Sequence, residues 1–167
     1  MLHWRKAFRS SIRIIDEDHV QLFRLLNDIE AHGNLRRDTD VVGVNRSIDA
    51  LLAYCLEHFA REERLMGQLG YPEAPAHAGK HTFLRESFIE ALHPLVAGEI
   101  SVATFLRVVR GQFVNHFMRD DYQFVRWAGA REEGGRVVPF RDRRHLVRTS
   151  LGFSDRRQRT TAGAPPS

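Results

Sequence analysis

Four stretches of this chain repeat apolar residues at intervals of three and four, and no β-hairpin signal interrupts them before residue 129. That period keeps one face of an α-helix dry and leaves the opposite face to water. Leu22, Leu25, Leu26 and Ile29 mark a first helix over about Asp16–Ala31, with Asp16 as its cap and Gly33 as its stop. Leu51, Leu52, Cys55, Leu56, Phe59, Leu65 and Met66 mark a second over about Asp40–Leu69, ended by Gly70-Tyr-Pro. The third begins after Pro72 and Pro75, residues tolerated in a first turn, and fades at Pro94. Gly98 separates it from the fourth, about Ser101–Ala128, whose stripe is Val102, Phe105, Leu106, Val109, Phe113, Phe117, Phe124 and Val125. Gly111 sits inside that helix at a cost of about 1 kcal/mol against Ala. Short connections between four helices predict an all-α protein, an antiparallel up-down four-helix bundle over residues 1–129. Trp4, Phe8, Ile12, Ile14 and Ile15 anchor the lead-in.

The length of 167 residues suffices for one domain with a sizeable core. No apolar run approaches the roughly 20 residues that span a bilayer. The first residues, Met1-Leu-His-Trp-Arg-Lys, lack the apolar region of a signal peptide, and one cysteine, Cys55, excludes an internal disulfide framework. The expected location is therefore the cytoplasm, without membrane contact. The formal charge of +4 is unevenly spread: residues 130–167 hold nine Arg against four Asp and Glu, while the rest is near neutral. Gly129, Gly134, Gly135 and Pro139 break the helical pattern there. Arg143–Arg148 fits a short helix, and 158–167 reads as disordered. Residues 130–167 are thus expected to form a basic, partly disordered extension, suited to an acidic protein partner. Few aromatics interleave its arginines, which argues against nucleic acid. Oligomeric state has no signature in the sequence.

Nine histidines are many for this length, and their placement matters more than their number. His77 and His81, four apart on the third helix, share one face, as do His58 and Glu62 on the second. His19 opens the first helix, and His116 lies on the fourth with Asp120 and Asp121 just beyond. Neutral imidazole suits iron, zinc or copper, and carboxylates can bridge two cations. Burying five imidazoles and two carboxylates unpaired would cost several kcal/mol, so their convergence inside an apolar bundle points to metal. Each motif also has a plainer meaning. Arg61-Glu-Glu-Arg64 reads equally as a solvated charged face, Asp16-Glu-Asp18 as first-turn carboxylates facing the helix dipole, and Cys55 as a small core residue. His3, His32, His93 and His145 read as surface or capping residues.

Taken in order, Ile15-Asp-Glu-Asp-His19, His58-Phe-Ala-Arg-Glu62-Glu, Gly70-Tyr-Pro, His77-x-x-x-His81 and His116-Phe-Met-Arg-Asp-Asp121 resemble the hemerythrin family over about residues 2–128. Trp4 fits the lead-in of bacterial members. The resemblance implies a carboxylate-bridged di-iron centre in the bundle core, with an oxo or hydroxo group as third bridge and dioxygen as ligand. It assigns His77, His81 and His116 to one iron, His19 and His58 to the other, and Glu62 and Asp121 to both as bridges. α-Helical spacing alone favours Asp120, roughly 40° round from His116, over Asp121, roughly 140° round. The family pattern selects the position five after the histidine, Asp121.

The function implied is reversible dioxygen binding for carriage, storage or sensing, and not enzymatic. The alternatives are a di-iron oxidase or peroxidase, and a module responsive to oxygen, iron or nitric oxide that acts through the basic tail. Leu22, Phe59, Gln112 and Phe113 are the expected oxygen-pocket residues. Family members commonly carry Trp where this chain has Gln112, and Leu or Ile where it has Phe113. An amide thus replaces an apolar wall, and a larger ring narrows the pocket.

Overall fold

The computed structural model describes residues 10, 12–33 and 40–132. Trp4, Phe8 and the extension beyond Glu132, including the short helix expected at 143–148, lie outside the described residues. The elements are α1 (Arg13–Gly33), α2 (Val41–Leu69), α3 (Ala74–Val96), α4 (Val102–His116), a π-turn (Phe117–Asp121) and α5 (Tyr122–Glu132). The last three run on as one arm, so the bundle has four arms, and no strand occurs among the described residues. α1 packs on α2 and α4, and α3 packs on α2 and α4, which closes a ring in chain order.

Local chemistry sets the ends. Asp40 caps α2, its carboxylate accepting from the Gly43 amide at 2.9 Å and facing His32 Nδ1 at 3.0 Å. A Cβ on Gly43 would meet both of these side chains, so any larger residue there would displace the Asp40–His32 pair. α2 stops at Gly70, whose φ of 68° lies in the left-handed region. Pro75 sits in the first turn of α3, as expected, whereas Pro94 is accommodated in its last turn and the helix runs on to Val96. Ser101 caps α4 through the Thr104 amide.

Two expected boundaries move. α1 begins at Arg13, so Asp16 is a first-turn residue rather than its cap; its carboxylate accepts from the Ser10 amide at 2.6 Å. The fourth arm passes through Gly129 to Glu132, because neighbouring helical residues carry one glycine at a cost of only about 1 kcal/mol.

The interior is layered. One apolar cluster gathers Leu22, Leu26, Ile48, Leu51, Phe105 and Val109 with their neighbours. A smaller one gathers Ile15, Met66, Tyr71, Phe124 and Val125. The metal-capable residues fall between the two along the chain: His19 follows Ile15 and precedes Leu22, His58 and Glu62 precede Met66, and His77 and His81 lie between Tyr71 and Leu84. Burying each Leu or Phe of these plugs is worth about 1.5–3 kcal/mol, which offsets the cost of a polar layer between them. Arg110 ties α4 to α1, donating to Glu30 at 3.0 Å and to the Leu26 carbonyl at 3.2 Å.

Candidate metal centre

All seven residues expected from the sequence are buried, each no more than 3% exposed. Their donor atoms form two groups, Glu62 with His77, His81, His116 and Asp121, and His19 with His58 and Asp121. In the first, three imidazoles turn their Nε2 atoms inward, with His81 Nε2 3.1 Å from His77 Nε2 and 3.0 Å from His116 Nε2. Asp121 belongs to both groups. Its Oδ1 lies 2.8 Å from His116 Nε2 and 3.2 Å from His77 Nε2, and its Oδ2 lies 2.9 Å from His19 Nε2. Glu62 Oε2 is 3.3 Å from His81 Nε2, 3.5 Å from His77 Nε2 and 3.9 Å from His58 Nε2.

The fourth arm delivers Asp121 by the π-turn. A π-turn bonds each amide to the carbonyl five residues back, so its fifth residue returns to the face of the first. His116 and Asp121, 140° apart on a regular helix, therefore both point inward, and both are buried. Asp120 points outward. It lies 3.2 Å from His116 Nδ1 and takes a bond from Lys80 Nζ at 2.6 Å. Regular spacing thus favours the wrong aspartate for the interior, because the helix is irregular at that point.

Charge is concentrated here. Burial would push the Asp121 carboxyl up, but His116, His19 and His77 hold it well below the ordinary range. Burial and Asp121 both push Glu62 up, and His77, His81 and His58 outweigh them to leave it lowered. Burial would push His116 down, yet the carboxylates of Asp121 and Asp120 push it up to about 10. His58 stays low, chiefly from burial. Even so, His58 Nε2, both Glu62 oxygens and Asp121 Oδ1 are buried without a partner in hydrogen-bond geometry. Buried polar atoms rarely go unpartnered; four together, facing imidazole nitrogens, are what a cation would satisfy.

Aromatic walls enclose the layer. Phe59 stacks on His81 with ring centres 4.1 Å apart, and Phe117 stacks on His19 at 3.9 Å. Phe113 is buried and meets Phe117 at 5.9 Å, one ring removed from His19. Leu22 is fully buried in the larger apolar cluster, and Gln112 is half-buried. Cys55 is a buried core thiol whose proton burial holds firmly. His32 pairs with the capping Asp40 and His93 is exposed, as expected; His3 and His145 lie outside the described residues.

The sequence did not single out the residues behind the imidazoles. Asp18 is 6% exposed and bonded to His58 Nδ1, Tyr54 and Arg61, not merely placed against the helix dipole. Glu63 Oε1 lies 2.8 Å from His81 Nδ1. Phe117 was legible as apolar but not as a partner of His19. The one signal in the sequence is the spacing Tyr54, His58, Arg61, which puts all three on one face of α2.

Residues 10–128 match the hemerythrin HHE cation binding domain. A bacteriohemerythrin of Stenotrophomonas maltophilia is 29% identical over 127 residues, 75% of this chain and 80% of the relative. A bacteriohemerythrin of Methylococcus capsulatus is 29% identical over 126 residues, 72% of this chain and 92% of the relative. One from Pseudomonas aeruginosa is 27% identical over 125 residues, 74% and 79% respectively. Among the described residues no helix is long and apolar enough to cross a membrane. With a cation-binding domain matched over most of its length, and with buried imidazoles and carboxylates converging from all four arms, the chain belongs to the hemerythrin family.

Proposed function

We propose that this bundle binds dioxygen reversibly at a carboxylate-bridged pair of irons held by His19, His58, Glu62, His77, His81, His116 and Asp121. The reading rests on Asp121, whose two oxygens face different imidazole groups, Oδ1 toward His116 and His77 and Oδ2 toward His19. One group offers three imidazoles and the other two, so a metal on the two-histidine side would have one protein donor fewer and room for an added ligand. The orphaned atoms of His58, Glu62 and Asp121 fit such a pair. When bound, two irons supply dioxygen with two electrons and recover them on its release.

The chain's own residues determine whether that exchange reverses. Phe59 and Phe117 lie flat against His81 and His19, and Phe113 backs Phe117, so water is kept from the polar layer. A dry wall favours release of intact dioxygen over its reduction, and on this ground we assign binding rather than oxidase or peroxidase turnover. For an oxidase, the hydrogen-bond donor expected from the sequence is Gln112, half-buried four residues before His116. Carriage and storage need only the bundle. Sensing through an acidic partner would use the basic extension, residues 130–167, of which 133–167 lie outside the described residues.

The test is an absorption spectrum of anaerobically reduced protein before and after air, then after evacuation, with iron counted per chain. The reading expects two irons and a spectrum that returns on evacuation. One iron per chain, or oxygen consumed without return, would overturn it. Phe113→Ala should speed oxidation of the reduced centre, since Phe117 loses its backing; an unchanged rate would remove Phe113 from the wall.

A further inference from the structure

Behind the two-histidine side stands a carboxylate with no assigned role. Asp18 precedes His19 on α1 and reaches across to α2. Its Oδ1 accepts from Tyr54 Oη at 2.8 Å and Arg61 Nη2 at 2.9 Å, and its Oδ2 accepts from Arg61 Nε at 3.0 Å. Oδ2 also meets His58 Nδ1 at 3.2 Å. The Arg61 fork grips both oxygens, a planar bidentate pairing that fixes the carboxylate in angle as well as position. The guanidinium in turn lies over the Tyr54 ring, 5.2 Å from its centre. Tyr54, His58 and Arg61 are four and three residues apart, so α2 presents all of them on one face to a single acid on α1.

An ionised carboxylate has no proton to give, so its contact with His58 requires an N–H at Nδ1. The other ring nitrogen, Nε2, then carries a lone pair, and Nε2 is the His58 atom left without a partner beside Glu62. The two-point grip of Arg61 and the Tyr54 hydroxyl bond are what an ionised carboxylate accepts. His81 and His116 have similar carboxylates on Nδ1, from Glu63 and Asp120. Asp18 differs in being buried and held by two further side chains.

We propose that Asp18 is a positioning residue: clamped by Arg61 and Tyr54, it fixes His58 with Nδ1–H outward and Nε2 inward, and its charge tunes the adjoining metal on the two-histidine side. The second half rests on the di-iron reading above; the first does not. Outer carboxylates of this kind commonly change metal affinity ten- to a hundredfold when removed. A negative charge one ring away also favours the more oxidised metal.

Asp18→Asn keeps the shape and removes the charge. In protein stripped of metal, nitrogen-15 correlation spectra of the His58 ring should show Nδ1 protonated in the wild type and a mixture of tautomers in the variant. In anaerobic ferrous titrations the variant should bind one equivalent as before and the second at least about tenfold more weakly. Its reduction potential should rise. Arg61→Gln, which leaves Asp18 in place, should shift the same readouts in the same direction by less. Glu17→Gln, an exposed neighbour paired with Arg13, should shift none. An unchanged tautomer in both Asp18→Asn and Arg61→Gln overturns the positioning role. An altered tautomer with an unchanged second equivalent and potential overturns the tuning. If the wild type itself binds no iron pair, the di-iron reading fails, and the tautomer in the stripped protein still decides the role of Asp18.

Discussion

Deleting Arg119 should leave this protein folded and able to hold metal, although it shortens a central arm by one residue. Arg119 is an exposed residue of the π-turn, with Phe117, Met118 and Asp121 buried around it. In a regular helix each residue advances 100° and about 1.5 Å, so the loss of one normally rotates everything beyond it out of place. Here five residues make a turn that an α-helix makes with four. Without Arg119, Asp121 becomes the fourth residue after His116, roughly 40° from it instead of the roughly 140° that regular geometry would impose on the intact sequence. Phe124 and Val125 keep their facing. Asp120 moves off His116 Nδ1 and Lys80, so metal affinity should fall about tenfold, the lower end for an outer carboxylate.

Deleting Val108, an exposed residue in the regular part of α4, provides the contrast. It swings Phe113, Phe117 and Phe124 about 100° away from the core, at about 1.5–3 kcal/mol each, which together approaches the whole stability of a typical domain. Iron content per chain and thermal unfolding would measure both variants. Equal unfolding of the two, or a folded Arg119 deletion that binds no metal, would refute the view that the π-turn is a one-residue insertion serving Asp121.

Glu62→Ala should abolish retention of both irons and Glu63→Ala only weaken it, because Glu62 lies among the inner nitrogens and Glu63 behind His81; equal iron in the two variants would remove Glu62 as a bridge. In protein stripped of metal, His116 lies near 10 rather than 6.5, so its stabilisation is complete below about pH 6.5 and is lost as the pH rises through about 10. Urea unfolding should therefore show the stripped protein weaker at pH 10 than at pH 6, and reloading metal at pH 7 should release protons, His116's among them. Gly70→Ala should cost about 1 kcal/mol in the same assay, since its φ of 68° disfavours a side chain; a neutral result would mean the end of α2 can relax. A chain ending at Glu132 should remain folded and bind iron, and loss of the metal on this truncation would give the extension a structural part.

Helix number and the bundle were legible because apolar spacing repeats along each helix. His58 with Glu62 and His77 with His81 declare their faces at four residues apart, and the apolar stripes declare the interior. Asp121 was legible only through resemblance. Periodicity assumes a uniform helix and therefore favours Asp120, while the π-turn breaks that uniformity and brings Asp121 inward. Asp18 was hidden for another reason. Its partners Tyr54, His58 and Arg61 lie 36 to 43 residues away, so its first-turn position suggested the helix dipole and nothing more. Gly129 misled in the opposite direction, since a glycine weakens a helix without having to end it.

The donor set described here also bears on which metal arrives first. Five imidazoles and two carboxylates form a mixed nitrogen and oxygen site, and such sites bind divalent ions more tightly from manganese through iron, cobalt and nickel to copper, with zinc again above iron. On affinity alone ferrous iron ranks low at this centre. Occupancy by iron would then be a matter of supply: whichever ion the surroundings keep most available as the four arms close is the one held behind Phe59 and Phe117. Protein produced in zinc-rich, iron-poor medium should carry zinc at the same residues, fold equally well and remain colourless in air.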